Sequence, residues 1–146
     1  MKKKIKEPSP VGRIVMVYPD LTTDPANMQG EIGRVTEIVS PGAVSVYFPK
    51  DKISAKYSTT ALATMLPKNE ILKKLQQHLG SLTYHEQKGI LSVIRSMVER
   101  NQTESLNTAM YMQRIQGYCT VNLQMWQDIK ESQILSKRKD RGLSPG

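Results

Sequence analysis

Hydrophobic and polar positions along this chain follow two periods, and the change falls near residue 69. Before it the spacing is two. The segment "VGRIVMVY" (residues 11–18) is β-branched and apolar and predicts a strand. "PDLTTDPANMQG" (19–30) predicts a long polar loop, punctuated by two prolines and a glycine. "EIGRVTEIV" (31–39) predicts a second strand, and "VSVYF" (44–48) a third. Between them "SPGA" predicts a type II turn, with φ preset by Pro41 and the positive φ supplied by Gly42. In the third strand Val44, Val46 and Phe48 share one face, and Ser45 and Tyr47 the other. Val35 and Ile38 are an odd number of residues apart, which predicts a bulge or burial on both faces of strand two. "PKDKIS" reads as a second polar loop and "AKYST" as a weak fourth strand.

From residue 69 the period becomes helical. "NEILKKLQQHLG" places Leu72, Leu75 and Leu79 on one face beside Ile71, with Gly80 as a stop. Thr83 and Glu86 have the spacing of a capping box. The helix behind them runs to about Arg100 with Ile90, Leu91, Ile94, Met97 and Val98 inward. A last helix is expected over residues 104–136, open to division at Gly117. It carries two apolar stripes. One holds Leu106, Met110, Val121 and Met125; the other Met112, Ile115, Cys119, Trp126 and Ile129. Such a helix is sandwiched between neighbours or covered by a partner.

These elements predict an α+β fold: a small, partly open β-barrel followed by a C-terminal helical hairpin or bundle of three helices. The expected organisation is a flexible basic arm (1–10), the barrel (11–66), a helical region (67–136) and a basic flexible tail (137–146).

Charge changes the picture more than composition does. The net charge is +8, and residues 1–13 and 136–146 together supply +7 of it, so the expected barrel is nearly neutral. Basic ends suit nucleic acid or acidic surfaces, and also serve simply as solubilising ends. The eight methionines suit helix packing or an adaptable contact surface. One cysteine, Cys119, excludes an intrachain disulfide and a cysteine-based zinc site. The start "MKKKIKEPSP" is not followed by a signal-peptide apolar stretch, and "GRIVMVY" is too short to span a bilayer. The expectation is a soluble cytoplasmic protein.

Little in the chain points to chemistry. His78 and His85 are the two candidates for a neutral-pH acid or base, and no acid or thiol stands at a metal-ligand spacing around them. Asp20 and Asp24 suit turn formation beside Thr22 and Pro25 better than cation binding. Cys119 lies in an apolar stripe, as an inert thiol does. Gly30 and Gly33 precede a strand, not the helix a phosphate loop requires. The expectation is no enzyme, no metal and no cofactor.

The pattern "VGRIVMVY…GEIGRVTEIV…GAVSVYF" resembles the SH3-like barrel of the KOW and Src-homology type, over about residues 11–66. The resemblance rests on Gly12 before the first strand, on Gly30, Gly33, Val35 and Ile38, and on the alternating Val44, Val46 and Phe48. In KOW-like members it implies contact with RNA, ribosome or polymerase. In Src-homology-type members it implies a peptide groove, which Tyr18, Tyr47 and Tyr57 would line.

Two functions follow as expectations. The first is a non-catalytic adaptor, an accessory subunit that binds a protein partner or a second copy through Met112, Ile115, Cys119, Trp126 and Ile129. The alternative is a protein that binds the RNA or DNA backbone. Its contacts would be Lys50, Lys52 and Lys56 in the barrel loop and the end residues Lys2, Lys3, Lys4, Lys6, Lys137, Arg138, Lys139 and Arg141.

Overall fold

A computed structural model describes residues 9–142, with side chains as far as Ser136. Six strands form a single antiparallel sheet: β1 (Ile14–Val17), β2 (Ile32–Ser40), β3 (Ala43–Phe48), β4 (Ile53–Ser58), β5 (Leu62–Met65) and β6 (Thr120–Asn122). Their order is β4-β3-β2-β1-β5-β6. Five helices accompany them: α1 (Lys68–Gln77), α2 (Tyr84–Val98), α3 (Gln102–Tyr111), α4 (Gln113–Cys119) and α5 (Leu123–Gly142).

The sheet is open, so the expected SH3-like barrel is corrected. Its end strands β4 and β6 do not pair with each other. The reason is visible in the core between them. Val15, Val17, Val35, Val46, Phe48 and Leu62 fill one face of the curved sheet, and Leu123 and Trp126 of α5 pack into the same cluster. Side chains of α5, and not a pairing of β4 with β6, complete this core. Thr59, in the 3₁₀ turn before β5, fixes that helix by donating from Oγ1 to Oε1 of Gln124 at 2.9 Å. Fully burying a side chain such as Phe48 or Leu62 stabilises by roughly 1.5–3 kcal/mol each, so this plug is a strong term.

The expected three-helix bundle is corrected too. The single helix expected over 104–136 is three helices and a strand. The chain leaves helical geometry at Met112 (ψ 96°) and again over Thr120–Asn122, where β6 pairs with β5. Asn122 then starts α5, its Oδ1 accepting from the Met125 N–H at 2.8 Å. A second core lies on the other face of β1 and β5. There Met16, Ala63 and Met65 meet Ile71, Ile90, Val93, Leu106 and Ile115. In α2 the inward set includes Ile90 and Val93, while Leu91 and Val98 face solvent.

The short-range readings hold. Gly42 has φ +81°, and β2 slips register after Val35 and again after Ile38. The capping box at Thr83 and Glu86 forms in both directions, at 3.1 and 2.9 Å. Oε2 of Glu86 also accepts from Arg114 Nε at 2.6 Å, tying α2 to α4. The Thr83 N–H and then Arg114 hold the Glu86 carboxyl below its usual pKa. No described helix is long and apolar enough to cross a membrane.

Candidate anion-binding groove

β1 is built so that alternate residues serve different cores, and the residue before it serves neither. Val15 and Val17 enter the sheet core, and Met16 the helical one. Arg13 sits at the seam. Its guanidinium carbon lies 4.2 Å from the centre of the Trp126 ring. Nε donates to Thr64 Oγ1 at 3.0 Å and Nη2 to the Met65 carbonyl at 3.2 Å. Thr64 passes the bond on, donating to the Ile14 carbonyl at 3.1 Å. Burial pulls the Arg13 pKa down to about 10, which leaves it charged at neutral pH.

Arg13 lines a recess of about 440 Å³ floored by Ile14, Met65 and Trp126, with Arg100 and Lys130 on its walls. A smaller recess of about 250 Å³ adjoins it, sharing Ile14, Arg100 and Gln102 and adding Arg34 and Thr103. The next, about 460 Å³, shares Ile14, Arg34 and Thr103 and adds Glu31, Lys50 and Asn107. A fourth, about 650 Å³, shares Gly30 and Asn107 and is lined by Met16, Pro19, Met110, Tyr111 and Met112 with His85. The four form one groove between the sheet and the helices, with α3 as a wall. Its cations are Arg13, Arg34, Lys50, Arg100 and Lys130, and Glu31 is its one acid. Among the described residues the one ion pair is Arg114 with Glu86, so none of these five cations has a carboxylate partner.

Arg100 is held in an unusual backbone state, φ +63°. It follows the end of α2, where its N–H donates to the Met97 carbonyl at 2.9 Å and that of Asn101 to Ser96 at 2.9 Å. Helices commonly end this way, with glycine in the left-handed position. An arginine there carries strain of about 1 kcal/mol or more. The next residue, Asn101, caps α3 through Oδ1 to the Glu104 N–H at 3.1 Å.

The residues expected to bind nucleic acid are dispersed. Lys50 lines the groove. Lys52, at φ +56° in the β3–β4 turn, and Lys56, on edge strand β4, are exposed and do not line it. Lys2, Lys3, Lys4 and Lys6 lie outside the described residues. Lys137, Arg138, Lys139 and Arg141 belong to α5, and their side chains lie outside the description. The expected partner face is packed within the chain: Ile115 and Cys119 are fully buried, Trp126 is buried, and Met112 and Ile129 rest on the helical core.

Reading the sequence for site residues leaves out Arg13, Arg34, Arg100 and Lys130. Only Arg100 carries a local signal, a bulky cation in "ERNQT" just where a helix-ending glycine is the norm. Asp24 is already engaged, accepting from the Ala26 and Met28 N–H groups and from the Tyr57 hydroxyl at 2.8–3.0 Å. Burial, then that bond to Asp24, raises the Tyr57 pKa. Burial pushes the Cys119 thiol up to about 12. His78 lies edge-on to Tyr118, ring centres 5.5 Å apart. Among the described residues no three potential metal ligands gather. No family model matches the chain, and neither the curated proteins nor the solved structures gave a match.

Proposed function

We propose that this chain is a non-catalytic nucleic-acid-binding protein whose groove takes up the phosphodiester backbone. The observation that carries the reading is the convergence of Arg13, Arg34, Lys50, Arg100 and Lys130 on one groove with a single acid among its lining residues. Cations without a carboxylate partner among the described residues are open to an arriving anion. Guanidinium groups suit phosphate because their donors match two of its oxygens at once. In a recess lined by Trp126, Met65 and Ile14 the attraction is screened less than on an open surface.

The groove offers charge and hydrogen-bond donors, and no nucleophile paired with a base, which supports binding over catalysis. An adaptor role through Ile115, Cys119 and Trp126 is less well supported, since those side chains are buried and a partner reaches them only by opening the core. Backbone binding of this kind is tolerant of sequence and sensitive to salt.

The test is fluorescence anisotropy of a labelled mixed-sequence 20-mer at several salt concentrations. Neutralising four or five phosphates predicts a slope of log affinity on log salt of about −3 for a single strand. Each exposed groove cation removed, as in Arg34→Gln, makes that slope shallower by about 0.7. No binding at low salt, or an Arg34→Gln slope equal to that of the parent, contradicts the proposal.

A further inference from the structure

Resting on that reading, we infer that the strand is single and that the methionine-lined end of the groove takes an unstacked base against Tyr111. Thr103, Asn107 and Tyr111 are spaced four apart on α3 and so share one face of the helix. Each lines the groove in turn. Thr103 faces the recesses that hold Arg34 and Lys50, Asn107 belongs to both the charged and the apolar recess, and Tyr111 stands at the apolar end. Thr103 to Tyr111 spans about 12 Å along the helix. That length holds about three to four nucleotides at the 3.4 Å spacing of a stacked strand.

The apolar recess is the unusual part. Its floor is Met16, Met110 and Met112, and Pro19 forms another wall. Tyr111 is 88% exposed although it stands beside this apolar surface. A tyrosine that the fold leaves uncovered at the lip of an apolar recess has a free ring face. Polarisable methionines adapt to flat aromatic shapes. Asn107, Thr108 and His85 at the rim supply hydrogen-bond groups for base edges. Continuity with the cationic groove is what points to the kind of occupant. A chain whose phosphates lie along Arg34 and Lys50 carries its bases with it, and the adjoining space is apolar and aromatic.

A duplex fits poorly. Duplex readers push a helix or ribbon outward into a groove about 12 Å wide. Here Arg34, Lys50 and Arg100 are exposed along the groove, with α3 as a wall, and Arg13 and Lys130 are half-buried in the recess at one end of it. A thin strand enters such a recess, and a paired helix does not. A charged channel with an aromatic platform is how single strands are held without strong sequence preference.

The test uses the full chain with 12-mers of thymidine DNA and of uridine RNA, each single-stranded and paired with its complement. Both single strands are expected to bind at least tenfold more tightly than the matching duplexes in 0.1 M salt. Tyr111→Ala is expected to lower single-strand affinity by about fivefold or more, the lower end of one aromatic stack. Tyr111→Phe restores it, and neither change alters the salt slope. Equal binding of single strand and duplex, or no loss with Tyr111→Ala, overturns this inference while leaving backbone binding in the groove intact. Failure of every oligonucleotide to bind at low salt overturns the reading beneath it.

Discussion

A guanidinium set against an indole and two neutral oxygens, with no carboxylate beside it among the described residues, is costly to maintain. Arg13 meets that description, and Arg100 adds backbone strain of its own at φ +63°. Both residues line one recess, where the proposed phosphate would pair with their charge. Arg100 allows stability and binding to be separated. Arg100→Gly removes the strain but loosens the unfolded chain, so stability is expected to stay level or rise by up to about 1 kcal/mol. Binding is expected to weaken, with a salt slope about 0.7 shallower. Urea denaturation and anisotropy measure the two sides. Unchanged binding would show that Arg100 does not meet the ligand. At this scale Thr83, Glu86 and Gly42 were readable from sequence because caps and turns are set by neighbours two or three residues away. Arg13 was not, because its partners Thr64 and Trp126 are far along the chain.

Among the elements, β2 was legible as an apolar run interrupted by a bulge, and β3 because its alternation is strict where one face meets the core. Val44, Val46 and Phe48 are all at most 1% exposed. β5 was not, since all four residues of "LATM" are buried and no alternation survives. β6 is three residues long. The expected helix over 104–136 shows why two stripes misled. The breaks let α3 and α4 turn their apolar faces to the helical core while α5 sends Leu123 and Trp126 into the sheet core, although the spacing still reads as one helix. Gly33 tests how tightly β2 is set against β3. A Cβ there would lie 2.6 Å from Val46 Cγ1 and 2.7 Å from the Tyr47 carbonyl oxygen, and the latter is backbone that cannot step aside. Gly33→Ala is expected to destabilise by about 3 kcal/mol. At Gly89 a Cβ meets the flexible end of Met112 at 2.9 Å and touches Ile115 Cδ1 at an ordinary 3.4 Å. The gain in helix propensity, about 1 kcal/mol, offsets that shift, so Gly89→Ala is expected to be near neutral. Urea midpoints of the two variants check the contrast, and equal losses would contradict it.

For the whole molecule, the broad α+β class followed from the change of period, and the closure of the sheet did not. Closure depended on whether β4 met the far edge or a helix intervened. Leu123 and Trp126 pack into that core from a part of the chain far in sequence from β1–β5. The groove has the same origin. Its cations are drawn from residue 13 to residue 130, and only the packing of α2, α3 and α5 on the sheet brings them together. Charge counted along the sequence pointed to the two ends, whereas the structure gathers a second set between its layers. Mapping backbone amide shifts by NMR during titration with a single-stranded 12-mer separates these two locations most directly. Binding in the groove predicts perturbations centred on Gly12–Ile14, Gly33–Arg34 and Arg100–Thr103, on both walls of the groove. Shifts confined to residues 1–8 and 137–146, with the groove silent, would contradict it.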